Sequence, residues 1–345
     1  MNSKIELVSD PCQPNLLNMP IVVMEVVLKH LNCPSIFRLQ KVCRDLRFSI
    51  EKIKPDLRLE FVRLNLFNPK VRKPELTCSL RRNRRINDTR PEISMEDAEA
   101  LLKYTNLILN ELHINWNFAY LRGLGYIKRT RIGDIDKLIE SLKSMLENRD
   151  RLLKTSRISL KVLQLPQAAE YLKFVDPKSL KDIHIKIGIE PLHDAIEMDF
   201  SQLESLEQWK NADVFAIKGN YILTASESFA SFKTISIECR TVSMEKLNEV
   251  KELFVRSPKL KNFNIKSSQT FEMIEQLMSM LGQPDSFHEE PGAFLPMILE
   301  LIGGRRVTDS EQRTWKWLKN IPGSTETLQI TLRSGREDSI NFSKV

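Results

Sequence analysis

Residues 19–55 read MPIVVMEVVLKHLNCPSIFRLQKVCRDLRFSIEKIKP. Apolar residues recur at Ile21, Met24, Val27, Leu28 and Leu31, the spacing of one face of an α-helix. Pro20 stands where a first helical residue is expected, since a helix start needs no N–H there and proline's φ is already set. Pro34 interrupts the pattern. A second periodic run follows at Ile36, Leu39, Val42, Cys43, Leu46, Ile50 and Ile53, and stops before Pro55. The spacing predicts an all-helical unit of two or three short helices.

That unit is too apolar for its size. Ile21, Val22, Val23, Met24, Val26, Val27 and Leu28 are interrupted only by Glu25, so they cover nearly the whole circumference of a helix. A body this small has too little interior to hold them all. Part of the surface must face the rest of the chain or a partner protein.

The residues carry a family resemblance. The stretch resembles an F-box, the short helical module that docks on the Skp-type adaptor of SCF ubiquitin ligases. The family's opening Leu-Pro stands here as Met19-Pro20, its aliphatic run as Val23, Met24, Val27, Leu28 and Leu31. Its second half stands as Ile36, Leu39, Val42-Cys43-Arg44 and Arg47. Two positions depart: Val22 replaces an acidic residue and Leu46 replaces a tryptophan. The resemblance implies that Met19, Pro20, Val23, Met24, Val27, Leu28, Leu31, Ile36, Leu39, Val42, Cys43 and Leu46 form the adaptor-binding surface.

The whole chain of 345 residues has room for two or three units. Hydrophobic residues at 41% and charged residues at 28% fit a globular protein with a sizeable core. No apolar run is long enough for a membrane span, and the first residues, MNSKIELVSDPCQPN, lack the apolar stretch of a secretory signal. The five cysteines, Cys12, Cys33, Cys43, Cys78 and Cys239, include no Cys-x-x-Cys pair. Such usage fits a reducing compartment, cytoplasmic or nuclear. The five histidines are scattered without metal-ligand spacing, so no metal and no cofactor are expected.

Charge is concentrated. The net charge is +7, yet residues 70–90 hold eight basic and two acidic residues, which is +6 of it. The run Arg81, Arg82, Arg84 and Arg85 offers contact to an anionic partner, either an acidic protein face or nucleic-acid phosphates. It equally fits a solvated hairpin tip. Nucleic-acid binders interleave aromatics for stacking, and none lies between Phe67 and Tyr104, which disfavours nucleic acid.

Beyond Leu57 the grammar changes. Leu57 to Leu66 alternates like an irregular strand. Ser94 to Asp97 reads as a capping box, and Asp134–Leu146 as an amphipathic helix. A phrase then recurs, apolar-Lys-x-apolar-x-apolar: Leu160–Leu165, Leu180–Ile185, Phe232–Ile237 and Leu260–Ile265. Weaker copies run from Ala212 to Ile217 and from Leu109 to Ile114, with helical patterns between. Strand and helix in repetition predict a stacked α/β array with a curved sheet, a degenerate leucine-rich-repeat-like body. Trp315 and Trp317 are candidates for a surface anchor or for core.

The body resembles the FTH domain that follows the F-box in a large nematode family. The resembling pieces are the basic bridge after Lys54-Pro55-Asp56, the Phe232–Ile237 phrase with its helix, and Ile321-Pro322-Gly-Ser324 with its strand. The expected organisation is a flexible leader at 1–18, the F-box module at 19–56, a basic bridge of strands or hairpin at 57–91, and an FTH-like α/β domain at 92–345. No phosphate loop, dinucleotide fingerprint, nucleophile elbow or zinc-protease motif occurs, so an enzyme is not expected. The two resemblances together imply a substrate-recognition adaptor of an SCF-type ligase, with a Skp-type adaptor, a cullin behind it, and an unknown protein substrate as partners. The competing reading is a non-degradative scaffold or repressor adaptor acting near RNA through segment 70–90.

Overall fold

The recurring phrase forms the strands of one sheet. A computed structural model of the chain describes residues 18–31, 33–53, 55, 57–65, 77–81, 92–93, 95–104, 106–115, 132–188, 196–219, 221–224, 226–267, 274–290, 312–334 and 339–345. Three helices open it: α1 (Ile21–His30), α2 (Cys33–Val42) and α3 (Arg44–Ile53). Then come β1 (Leu57–Asn65), β2 (Thr77–Arg81), β3 (Glu92–Ile93), α4 (Met95–Lys103), β4 (Leu107–Asn115), α5 (Ile132–Glu147), β5 (Lys154–Val162), α6 (Leu165–Leu172) and β6 (Asp182–Ile187). They are followed by β7 (Ile196–Glu197), α7 (Ser201–Glu204), α8 (Glu207–Asn211), β8 (Val214–Lys218), β9 (Tyr221–Ile222), a 3-10 turn (Glu227–Ser231), β10 (Thr234–Cys239), α9 (Met244–Arg256) and β11 (Asn262–Ser267). Last are α10 (Ile274–Leu281), β12 (Ser286–Glu290), β13 (Gln312–Asn320), β14 (Thr327–Ser334) and β15 (Ser339–Lys344).

Thirteen of the strands make one sheet in the order β12-β13-β14-β15-β11-β10-β8-β6-β5-β4-β1-β2-β3. From β1 to β11 the main strands lie side by side in chain order and run parallel. Parallel neighbours need a crossover, and helices or helical turns supply it. β1 also pairs antiparallel with β2, Asn65 opposite Thr77, so the segment after the helical module joins the same sheet. At the far end β15 pairs antiparallel with β11, and β14, β13 and β12 follow outward. The mixed α/β region with its extended sheet therefore follows an N-terminal helical region.

The phrase works because its apolar positions all point to one side. Leu180, Ile183 and Ile185 are buried, as are Phe232, Ile235 and Ile237, and Leu260, Phe263 and Ile265. The weaker copies obey the same rule through Ala212, Phe215 and Ile217 and through Leu109, Leu112 and Ile114. One expected copy is displaced. In β5 the buried positions are Thr155, Ile158, Leu160 and Val162, whereas Leu165 already opens α6. The apolar rule missed Thr155 because its hydroxyl is polar. Inside the fold that hydroxyl lies 2.9 Å from the Arg157 carbonyl and 3.3 Å from the Asn110 carbonyl, so it is satisfied while buried.

Helices cover the apolar side. Leu142, Met145 and Leu146 of α5, Leu165, Ala168, Ala169 and Leu172 of α6, and Leu247, Val250, Leu253 and Phe254 of α9 join the same core as the strands. α9 starts where Ser243 Oγ accepts the Lys246 amide at 3.3 Å. Ser94, the other expected cap, lies outside the described residues. α10 ends at Gly282, whose φ of +82° suits glycine. Its carbonyl accepts the Trp317 indole N–H at 2.9 Å, which ties the helix end to β13. Trp315 and Trp317 are both buried, so neither indole is a surface anchor. Within the core Trp209 meets Phe215 at 4.6 Å between ring centroids and Phe232 edge-on at 4.9 Å.

Candidate functional site

α1 is apolar on two sides, and the structure separates them. Its first hydrogen bonds run from the Val23 and Met24 amides to the Pro20 carbonyl, at 2.9 and 3.1 Å. Pro20 is therefore the cap and Ile21 the first helical residue, one position later than the sequence suggested. Met24 and Leu28 (2% exposed) point into the core that also holds the sheet. Val22 (71% exposed) and Val26 (50% exposed), one turn apart, carry the outward apolar surface, flanked by the half-exposed Ile21 and Val23.

α2 and α3 continue the division. Pro34 falls in the first turn of α2, where a helix tolerates it. Ile36 and Ile50 enter the core, and Leu31, Leu39 and Ile53 pack against it. Cys43 separates the two helices, and its Sγ and carbonyl receive the Leu46 and Arg47 amides at 3.5 and 3.2 Å. Leu46 is buried, while Val42 (69% exposed) and Phe48 (70% exposed) face outward.

The twelve expected docking residues thus divide by placement. Met24, Leu28, Ile36 and Leu46 are buried within this chain. Met19, Val27, Leu31, Leu39 and Cys43 are partly covered, and Pro20, Val23 and Val42 are exposed. Periodicity marked Met24 and Leu28 because the core-facing stripe is the regular one. It also marked Ile21, which is exposed, and passed over Val22, Val26 and Phe48. The one signal for the two valines was the excess of apolar residues around α1. Among the described residues, six of the ten exposed large hydrophobics lie between Ile21 and Phe48, so the patch is local. Exposed apolar side chains gathered on one module in this way mark an interaction site.

The sheet offers a second surface. Its side away from the helices carries polar residues in rows, and none of those on β4, β5, β6, β8, β10 and β11 is buried. In one row Arg157 bridges Glu111 at 2.8 Å and Asp182 at 2.6 Å. In the next, His113 and His184 flank Ser159. Burial chiefly holds both imidazoles below the usual histidine range, against the Glu111 hydrogen bond in the case of His113, so both are neutral at pH 7. In a third row Lys161 faces Lys186, and Lys186 faces Lys218. Burial and then the Lys186 charge push the Lys161 ammonium below the ordinary lysine range.

Other candidates are less informative. Arg81 ends β2, while Arg82, Arg84 and Arg85 lie outside the described residues. No group of three or more His, Cys, Asp or Glu side chains among the described residues could hold a metal ion. No helix among them is long and apolar enough to cross a membrane. Burial pushes the Cys239 thiol up to about 12, and Cys43 is half-exposed. Brief alkylation of the folded protein with iodoacetamide at pH 8 should therefore label Cys43 and spare Cys239, as read by peptide mass spectrometry. Labelling of Cys239 at an equal rate would contradict its burial.

An exposed aliphatic module joined to a sheet with a broad polar face has the make-up of an interaction protein. Family models agree with that class: an F-box domain matches residues 16–58 and an FTH domain matches residues 136–280. The chain is an F-box protein with a C-terminal FTH domain. Both are interaction domains rather than catalytic ones, and F-box domains bind Skp-type adaptors. No match to the chain was found among curated proteins or among solved structures.

Proposed function

We propose that the chain is a substrate-recognition adaptor of an SCF-type ubiquitin ligase. The helical module at 19–56 docks on a Skp-type adaptor and through it reaches a cullin. The α/β body at 92–345, a leucine-rich-repeat-like array, holds the target protein. The observation that carries this reading is the exposed apolar patch of α1 to α3, placed in the F-box match. A side chain such as Val22 gains nothing from exposure to water, and covering such groups is what drives association.

The chain does no bond chemistry in this reading. It raises effective concentration, holding acceptor lysines of a bound protein near a charged ubiquitin carrier. The module also has to be rigid relative to the body for that purpose. Supporting rigidity, Met24, Leu28, Ile36 and Ile50 share one core with the strands, so the module is not a bead on a string. The same packing means that a fragment starting at residue 57 would expose core, and point substitutions are the sounder probe.

Co-expression of the full chain with a Skp-type adaptor tests the proposal. The expected result is a stable complex that survives gel filtration. A folded chain that elutes alone would overturn it.

A further inference from the structure

The two ends of the sheet are built differently. One end is β3, two residues long and paired with β2 at two positions. The other is β12, five residues long and paired with β13 along its whole length. Among the described residues no strand lies outside β12. An end strand turns alternate N–H and C=O groups outward, and proteins blunt such an edge by keeping it very short, as β3 is, or by covering it. β12 has ordinary strand length.

Its side chains add to the open edge. Register sets Phe287 opposite Trp315, so both stand on the side of the sheet that faces the core. Trp315 is buried, and its ring centroid lies 5.4 Å from that of Phe287. Phe287 is 48% exposed. On the opposite side of the strand Ser286 and His288 are exposed as well.

Such an edge is recognised by an extended polypeptide, which returns an N–H for each C=O. The incoming strand has to set an apolar side chain beside Phe287 and polar ones beside Ser286 and His288. β12 of a second copy does this. Turned about a two-fold axis through Phe287 and normal to the sheet, it runs antiparallel to the first. Phe287 then stands opposite the second copy's Phe287, and Ser286 opposite the second copy's His288. Pairing with β3 of another copy would instead build an open chain of molecules, and β3 is too short to support it.

We infer that β12 is a self-association edge, through which two copies of this chain join into one continuous sheet with two-fold symmetry. In the reading proposed above, such a pair carries two docking modules and two bodies, which raises avidity for a target with two sites. Five residues of strand and one aromatic pair make a small interface, so a dissociation constant of about 10 μM is expected.

Sedimentation velocity of the full chain, from about 1 to about 100 μM, tests this. The expected result is a monomer–dimer equilibrium that does not continue to larger species. Phe287→Asp removes the ring pair and sets two carboxylates side by side, so it should raise the dissociation constant by about tenfold or more. Leu152→Asp, an equal charge at an exposed leucine before β5, should leave it unchanged. Cross-linking reads the register. Phe287→Cys should form a disulfide-linked dimer on mild oxidation, mapped to position 287 by peptide mass spectrometry, and His288→Cys should not. A chain that stays monomeric, or dimers that Phe287→Asp leaves intact, would overturn the inference. So would dimers abolished by Val23→Asp with Val26→Asp, which would assign association to the helical module instead.

Discussion

Val23→Asp combined with Val26→Asp should abolish capture of a Skp-type adaptor and leave the thermal melt of the chain unchanged. Both valines are exposed in the isolated chain, so the carboxylates stay hydrated and cost the fold almost nothing. Within a complex the same carboxylates would be stripped of water without partners. Central apolar positions of an interface are worth about 2 kcal/mol or more each, so affinity should fall by at least about a hundredfold. Leu28→Asp gives the contrast. Its side chain is buried in the chain's own core, and a carboxylate there destabilises the chain by about 4 kcal/mol or more. It should lose adaptor binding together with cooperative unfolding. If the valine variant binds as tightly as the parent chain, the outward face of α1 is not the docking surface.

Trp209→Ala should be the most damaging truncation in the body. The indole is 1% exposed and packs among Phe200, Phe215, Phe229 and Phe232. Its Nε1 donates to Ser228 Oγ at 3.2 Å, and that hydroxyl donates to Glu204 Oε1 at 3.0 Å. The position thus joins α7, α8, the 3-10 turn and β8. Removing it leaves a cavity between crossovers that cannot close, at a cost of about 4 kcal/mol. Trp209→Phe keeps most of the volume and loses the hydrogen bond, about 1 kcal/mol. Urea unfolding followed by far-ultraviolet circular dichroism reads both. Equal midpoints for the two variants would show that shape contributes nothing beyond the bond.

Both predictions depend on a division that periodicity could only half supply. The stripe Met24, Leu28 and Leu31 was legible as a helix face, but a stripe does not say what it faces. It was expected to meet the adaptor, and Met24 and Leu28 are buried in the chain's own core. The recurring phrase was legible because side chains alternate sides of a strand, so inward positions announce themselves by being apolar. Thr155 escaped that rule, since a buried hydroxyl needs a carbonyl that only the folded neighbour Asn110 and its own strand bring near. Trp315 and Trp317 looked equally suited to surface or core, and the Gly282 carbonyl at the end of α10 takes up one of the indoles inside.

The lysine row shows the same limit from the other side. Residues 70–90 hold +6 of the net charge, so the rest of the chain looked almost neutral. Neutral on balance is not neutral in place. Lys161, Lys186 and Lys218 are scattered along the sequence and become neighbours through parallel pairing.

By itself, then, the sequence determined that short helices with surplus apolar surface open the chain, that strands and helices alternate after them, and that no motif for chemistry accompanies them. These follow from period and composition, which are local. Tertiary structure decided which apolar face of α1 is spent on the core and which remains outward. It also decided which polar residues share a row. Those outcomes depend on packing against distant segments and on strand register, where a shift of one residue would move every side chain to the opposite face.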